Sequence, residues 1–211
     1  MKLSSFGIIK VTRKISVSIF AFVSLFLFFC SQGILYSLIF TTCAILHECS
    51  HLYFLKHYGA SLNSITIYPF GVDINADTSR LSYKKELVCT LSGSLANLIF
   101  ALFAYVLFVL LPSPEVLFFI LCNLFLGLIN LIPLSFFDGG KALRLLVYDI
   151  FEIDKAFYVH KSLDIISALI FVFFCFYAIV SSDFNFSVCA VIIYAAISTL
   201  AIYGKNPCRD S

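Results

Sequence analysis

The chain has 211 residues, of which 61% are hydrophobic and 12% are charged, and its mean hydropathy is +1.02. Soluble domains are about 45–50% apolar and about 25% charged, so this composition excludes a soluble globular domain and indicates an integral membrane protein. A formal net charge of +2 does not point to a nucleic-acid partner. We therefore expect the lipid bilayer to surround most of the chain, and we expect no nucleic acid to bind it.

Six apolar segments, each close to the ~20 residues that cross a bilayer, predict an all-α polytopic membrane protein with about six transmembrane helices. We interpret residues 1–211 as a single membrane domain with no appended soluble domain. The predicted spans are residues 15–31, 34–55, 87–111, 115–134, 163–180 and 184–203, joined by a loop at 56–86 and a cytoplasmic connection at 138–162.

The distribution of charge predicts the orientation of these spans. All fourteen Lys and Arg residues fall on one side of the six spans, whereas the three turns on the other side contain only Glu115 and Asp183. The positive-inside rule then predicts a multi-pass protein of the cell membrane with both termini in the cytoplasm. The first span follows basic residues as a signal peptide would, but no small-x-small cleavage site follows, so we expect it to stay uncleaved.

Two connections are long enough to hold structure of their own. In the loop 56–86, the alternating residues 64–68 predict a short strand, and Pro69-Phe70-Gly71 predicts a turn after it. The connection 138–162 predicts a short amphipathic helix, whose apolar face is formed by Leu143, Leu146, Val147 and Ile150.

His47-Glu48-Cys49-Ser50-His51 carries the clearest chemical signal. A helix places residues i and i+4 on one face, so His47 and His51 can both present imidazole nitrogens to one zinc ion. Glu48 lies beside them, where a general base for a metal-activated water is needed. Cys49 points away from that face, so we treat it as a small hydrophobe, like the other cysteines, rather than a ligand.

A zinc site of this kind needs a third ligand from another segment, and Asp138 is the candidate. Pro133 ends the fourth predicted span, and Gly139-Gly140 allows close backbone approach beside the aspartate. The alternative is an interfacial Asp138 that caps a helix beginning near Lys141. An aspartate in apolar surroundings is costly unless it is paired or bound to a metal, and the His-Glu-x-x-His motif favours ligation.

The depth of the motif is compatible with such a site. His47 lies about thirteen residues into its predicted helix, or ~20 Å from the outer face at 1.5 Å per residue. This leaves ~10 Å to the cytoplasmic edge of a ~30 Å hydrocarbon core. We therefore expect an active site nearer the cytoplasmic side, which water reaches from the cytoplasm.

Together these motifs resemble the site-2 protease family of intramembrane zinc metalloproteases, peptidase family M50. The resemblance covers about residues 39–145. Two motifs of the family carry it: the His-Glu-x-x-His helix, and Asn130-x-x-Pro133 together with Asp138-Gly139. A third segment, Ser92-Gly93-Ser94-Leu95-Ala96-Asn97, is similar to the family's Gly-Pro-x-x-Asn element. Ile67-Tyr68-Pro69-Phe70-Gly71 resembles the branch typified by the stage IV sporulation protein FB.

The resemblance implies a three-helix catalytic core that cleaves a transmembrane or membrane-associated segment of a protein substrate, such as a transcription-factor precursor or an anti-sigma factor. His47, His51 and Asp138 would bind one Zn²⁺ per chain, and Glu48 would activate the water. Asn130 and Asn97 would hold the substrate backbone or the developing oxyanion, although Asn97 suits interhelical hydrogen bonding equally well. A regulatory membrane protein, or a first cleavage that trims the substrate, would provide control.

Some positions depart from the family pattern, and two other functions remain open. The family usually has Gly at the position of Ser50, Pro at Ser94, Gly at Val72 and Pro-Leu at Phe136-Phe137. These differences affect substrate choice and rate more than chemistry. A metal transporter would need ligands along a path across the membrane, yet the fifth and sixth predicted spans contain no His, and Asp164 lies at an edge. A non-catalytic scaffold for membrane segments would not need Glu48.

Overall fold

The computed structural model describes residues 8–10, 12, 15–18, 29–30, 33–68 and 71–181. The chain divides into two compact units, Met1–Leu128 and Ile129–Ser211. In chain order the elements are β1 (Ile8–Lys10), β2 (Ile15–Ser18), α1 (Ile34–His57), β3 (Ser61–Tyr68), β4 (Gly71–Asp77), α2 (Tyr83–Leu110), α3 (Pro114–Asn130), α4 (Asp138–Ile150) and α5 (Ile153–Ser181).

The first unit contains a four-stranded sheet with the order β1-β2-β3-β4. The strand β3 pairs in parallel with β2, for example Ile67 with Val17, and antiparallel with β4, where Ile67 faces Val72. The predicted strand at 64–68 is therefore confirmed and is longer than expected. Of the predicted turn, residues 69–70 lie outside the described residues, and Gly71 is the first residue of β4.

The start of the first predicted span is wrong. Residues 15–18 form the strand β2, which pairs with β1 and β3, instead of the first turn of a transmembrane helix. The physical reason is the sequence Ile15-Ser16-Val17-Ser18, in which β-branched and polar residues alternate as in a strand. Within the remainder of this predicted span, Phe29 and Cys30 are helical, and the other residues lie outside the described part of the chain.

The helices α1 and α2 pack against each other through small and polar side chains. On α2 the buried positions Cys89, Gly93, Asn97 and Ala101 recur every four residues, so they form one stripe along the helix. Large apolar side chains such as Phe103 point outward instead. This arrangement suits a lipid environment, where small residues let helices approach closely and apolar residues face the acyl chains.

Three helices of the described part are long and apolar enough to cross a membrane, namely Ile34–His57, Tyr83–Leu110 and the stretch Ile153–Phe173 of α5. The helix α3 is apolar but shorter, with 17 residues. A six-helix membrane domain is therefore not confirmed. The sixth predicted span, residues 184–203, lies outside the described residues.

The second unit contains the end of α3, a short loop, α4 and α5, and α4 packs against α5. The predicted amphipathic helix forms but ends at Ile150, and α5 begins at Ile153, ten residues before the predicted start of the fifth span. The buried residues of α4 also differ from the predicted apolar face: Asp138, Gly140, Ala142 and Val147 are buried, whereas Ile150 is exposed.

A candidate metal site on the first long helix

Two imidazoles converge on one face of α1. His47 and His51 are one helical turn apart and only 6% and 9% exposed, and their Nε2 atoms lie 3.2 Å from each other. The helical spacing explains why both side chains reach the same point. Two ring nitrogens aimed at one point are the arrangement that a shared metal ion requires.

A backbone carbonyl of α2 orients the second of these imidazoles. The Nδ1 atom of His51 lies 2.8 Å from the carbonyl oxygen of Cys89, which also accepts a hydrogen bond from the Ser92 hydroxyl at 2.8 Å. Because a carbonyl can only accept, Nδ1 of His51 must carry the proton, and Nε2 of a neutral imidazole then presents its lone pair. This outer hydrogen bond is of the kind that orients histidine ligands in metal sites.

Gly93 of α2 leaves the space that the two imidazoles occupy. A Cβ atom at this position would overlap Nε2 of His51 and would lie 2.8 Å from Nε2 of His47. The backbone of α2 therefore approaches these imidazole nitrogens more closely than any other residue type would permit.

The geometry and chemistry of these nitrogens fit zinc. Two ligand nitrogens at the usual zinc distance of ~2.0–2.1 Å, separated by a tetrahedral angle, would be about 3.3–3.4 Å apart. The observed separation of 3.2 Å between the Nε2 atoms of His47 and His51 is close to this value. A third, anionic ligand would complete the combination of histidine and carboxylate donors that zinc enzymes use.

Asp138 is the first residue of α4 and is 5% exposed. The residue before it, Phe137, occupies the N-cap position, so Asp138 is not the capping residue of a helix that begins near Lys141. Lys141 lies 3.6 Å from its carboxylate, but the lysine side chain is largely exposed, which makes this ion pair weak.

Among the described residues, His47 and His51 of the first unit and Asp138 of the second are buried side chains of the kinds that bind metal ions. Each offers one ligand atom, an imidazole nitrogen or a carboxylate oxygen. Cys49, by contrast, is exposed, as expected from its position on the helix. The candidate donors are thus two imidazoles and one carboxylate.

The other predicted site residues occupy different environments. Glu48 is half-buried on α1, directly after the first histidine, and Asn130 is the half-buried last residue of α3. Asn97 lies on α2, one turn beyond Gly93, and is completely buried. Within the described part of the chain, neither its carboxamide oxygen nor its nitrogen has a hydrogen-bond partner, although leaving such groups unsatisfied costs about 1–3 kcal/mol each.

Two polar residues to which the sequence interpretation assigned no role in a site are buried as well. Asn123 of α3 is fully buried and donates to the Cys43 sulfur at 3.0 Å and to the Phe119 carbonyl at 2.9 Å. Asp164 of α5 is 1% exposed and is the twelfth residue of this helix, whereas the sequence placed it next to the start of a predicted span. A lone asparagine or aspartate within an apolar run was the available signal for both.

Comparison with known proteins identifies similarity at two levels. Residues 112–177 match the family model described as Peptidase family M50, a region that contains Asp138 but neither histidine of the pair. The fold is similar to that of the site-2 protease from Methanocaldococcus jannaschii, with a TM-score of 0.68, 21% sequence identity and coverage of 92% of each chain. No curated protein sequence matches the chain.

Proposed function

We propose that this chain is an intramembrane zinc metalloprotease of the site-2 type and a member of peptidase family M50. The observation that carries the proposal is the pair of histidines on α1, whose Nε2 atoms converge while Nδ1 of His51 binds the Cys89 carbonyl. Two other observations support it: the sequence match of residues 112–177 to the family model, and the similarity of the fold to a site-2 protease.

In this proposal His47, His51 and Asp138 hold one Zn²⁺. A zinc ion held there would supply Lewis acidity, which lowers the pKa of water and polarises a carbonyl. Glu48 takes the proton from the attacking water and returns it to the leaving amine, a general acid–base role that contributes about 10²–10⁴-fold in rate.

The substrate is a membrane-embedded or membrane-associated protein segment. A transmembrane helix must unwind locally before cleavage, because its carbonyls are otherwise hydrogen-bonded within the helix. The buried carboxamide of Asn97 and the side chain of Asn130 would then receive the exposed backbone or the developing oxyanion. We extend the proposal to a transcription-factor precursor or an anti-sigma factor as the substrate class.

The finer assignments belong to the same proposal. We place the chain nearest the branch typified by the stage IV sporulation protein FB, on the strength of residues 67–71. We also propose a multi-pass orientation with both termini in the cytoplasm, because the basic residues are confined to one side of the apolar segments. A regulatory membrane protein, or a first cleavage that trims the substrate, would control access.

The first test separates metal binding from catalysis. Zinc per chain is measured in mild detergent for the wild type and for the variants Asp138→Ala, Glu48→Gln and Glu115→Gln. We expect about one zinc in the wild type, Glu48→Gln and Glu115→Gln, and loss of zinc in Asp138→Ala. Glu115 is the matched control, because it is a second glutamate of an apolar helix.

Cleavage is followed in the same variants with a panel of tagged single-span membrane proteins that are co-expressed with each one. Glu48→Gln should reduce cleavage by about 10²–10⁴-fold while it retains zinc, and Glu115→Gln should cleave normally. A wild type that binds no zinc even after supplementation would contradict the proposal in favour of a scaffold. Zinc retained by Asp138→Ala would mean that another residue is the third ligand.

A further inference from the structure

A second aspartate, Asp164, lies buried in an apolar helix of the second unit. It belongs to the part of α5 that is long and apolar enough to cross a membrane, and it is 1% exposed. Both of its carboxylate oxygens accept hydrogen bonds from one residue: Oδ1 from the backbone N–H of Ser135 at 2.8 Å, and Oδ2 from the Ser135 hydroxyl at 2.7 Å. These two bonds give both oxygens of the buried carboxyl group a hydrogen-bond partner.

The bonded serine belongs to the loop that carries Asp138. Ser135 lies three residues before this aspartate, between Leu134, which is almost fully buried, and the N-cap Phe137. The N–H of Phe137 donates to the Leu134 carbonyl at 2.8 Å, so the backbone at Ser135 and the start of α4 are directly linked. Movement of the serine would therefore move the helix start.

Close packing makes this loop sensitive to small displacements. A Cβ atom at Gly140, in the first turn of α4, would overlap the Leu134 carbonyl, and one at Gly139 would overlap the Leu131 carbonyl. The loop backbone thus lies against the helix that begins with Asp138, without side chains between them. The position of the Asp138 carboxylate depends on where this backbone is held.

We infer that Asp164 is a positioning residue for the metal ligand Asp138: it holds the Ser135 backbone and hydroxyl, and so keeps the start of α4 in the place that metal binding requires. The inference rests on the proposed function, because it assumes that Asp138 is a ligand. It also explains why an apolar helix keeps an ionisable residue that would otherwise be costly in the membrane.

A purely structural role for Asp164 would have a different signature. Loss of a structural residue lowers the thermal stability of the protein and leaves the affinity of the folded molecules for metal unchanged. Loss of a residue that supports a metal ligand lowers metal affinity by about 10–100-fold. The two roles are therefore distinguished by zinc affinity and cobalt spectra measured on folded protein, independently of any cleavage assay.

The experiment uses the full chain in mild detergent and compares Asp164→Ala, Asp164→Asn and Ser135→Ala with the control Asp154→Ala, an exposed aspartate at the beginning of the same helix. Zinc dissociation constants are measured by competition with a chelator. Visible spectra of the cobalt-substituted protein report the ligand geometry, and thermal unfolding is recorded separately.

We expect Asp164→Ala to bind zinc about 10–100-fold more weakly and to show an altered cobalt spectrum. Asp164→Asn should remain close to the wild type, because its amide oxygen can still accept from the Ser135 N–H. Ser135→Ala, which keeps the N–H bond but loses the hydroxyl bond, should fall between the wild type and Asp164→Ala. Asp154→Ala should match the wild type.

The controls separate the two levels of the argument. One outcome would contradict only the inference about Asp164. In that outcome the wild type binds one zinc, Asp138→Ala binds none, and Asp164→Ala binds zinc as tightly as Asp154→Ala. The proposed function would then still stand. If Asp164→Ala does not fold, the zinc affinity of Ser135→Ala tests the inference instead. Unchanged affinity in Ser135→Ala would overturn the inference, and weaker binding would support it. A wild type that binds neither zinc nor cobalt would overturn the proposed function itself.

Discussion

Gly93 shows how a single missing side chain can determine a site. The Nε2 atoms of His47 and His51 occupy the space into which any Cβ at this position would project. An alanine there must displace an imidazole or move the backbone of α2, and the stripe of buried residues that includes Asn97 resists such movement. In the proposed function, the glycine therefore makes room for the metal-binding imidazoles as well as for helix packing.

We predict that Gly93→Ala abolishes or greatly weakens zinc binding in a protein that still folds. Zinc per chain after purification in detergent is the measurement. Gly127→Ala is the matched control, because its Cβ would crowd the side chain of Leu98 and the Ser94 carbonyl rather than a ligand nitrogen. Normal zinc content in Gly93→Ala would show that the imidazoles do not have to remain where the structure places them.

A second prediction concerns Cys49, which lies within the motif but is exposed. We expect Cys49→Ala to keep one zinc per chain with unchanged affinity, whereas His51→Ala loses it, because thiolate ligation would require the sulfur on the histidine face. Chelator competition on both variants checks this. A clear loss of affinity in Cys49→Ala would place the thiol among the ligands.

At the residue scale, the metal-site candidates could be predicted because they are ionisable groups in apolar surroundings. His47, His51 and Asp138 differ from their neighbours in a way that the sequence displays directly. The partner of His51 could not be predicted, since a backbone carbonyl such as that of Cys89 exists at every position and has no sequence signature. The hydrogen bond between Asp164 and Ser135 could not be predicted either, because it joins residues 29 positions apart and no local sequence pattern pairs them.

At the scale of the elements, β3 illustrates the limit of reading one strand at a time. Its alternation predicted a strand, and a strand taken alone has open edges to which an extended peptide can pair. The structure places β3 inside the sheet, with β2 on one side and β4 on the other, so its two edges are already paired. The pairing with β2 could not be predicted, because the residues of β2 continue into a long apolar run that is typical of a transmembrane span.

Asn123 allows a prediction about how α3 is held. Its amide donates to the Cys43 sulfur on α1 and to a carbonyl of its own helix. Hydrogen bonds between membrane helices contribute on average about 0.6 kcal/mol and at most about 1.7 kcal/mol. We expect Asn123→Ala to lower the free energy of unfolding in detergent by a similar amount and to leave zinc content unchanged.

Leu121→Ala is the matched control for that measurement, since Leu121 lies on the same helix with its side chain exposed. Thermal or denaturant unfolding of the two variants gives the comparison. Equal stability of Asn123→Ala and the wild type would mean that the hydrogen bond to Cys43 contributes nothing measurable. Loss of zinc in Asn123→Ala would instead connect this asparagine to the metal site.

At the scale of the whole molecule, the central question is how the chain crosses the membrane. The helix α1 has 24 residues, which is about 36 Å at 1.5 Å per residue and enough to span a ~30 Å hydrocarbon core. The turn between β4 and α2 is polar, and in it the Ser79 N–H donates a hydrogen bond to the Asp77 carboxylate. Hydrogen bonds from the Ser79 hydroxyl and from this N–H lower the pKa of the Asp77 carboxyl. Arg80 and Lys84 follow, whereas the turn before α3 carries no basic residue.

This asymmetry predicts opposite sides of the membrane for the two turns, with the first in the cytoplasm and the second outside. An epitope tag inserted after Ser79 should be reached by antibody only after cells are permeabilised, whereas a tag inserted after Pro112 should be reached on intact cells. Retention of one zinc per chain in both tagged proteins is the control for folding, because an insertion that disrupts α2 would also displace Gly93. The reverse pattern of accessibility would invert the orientation and place the histidines nearer the outer face, and equal accessibility of both tags would mean that α2 does not cross the membrane.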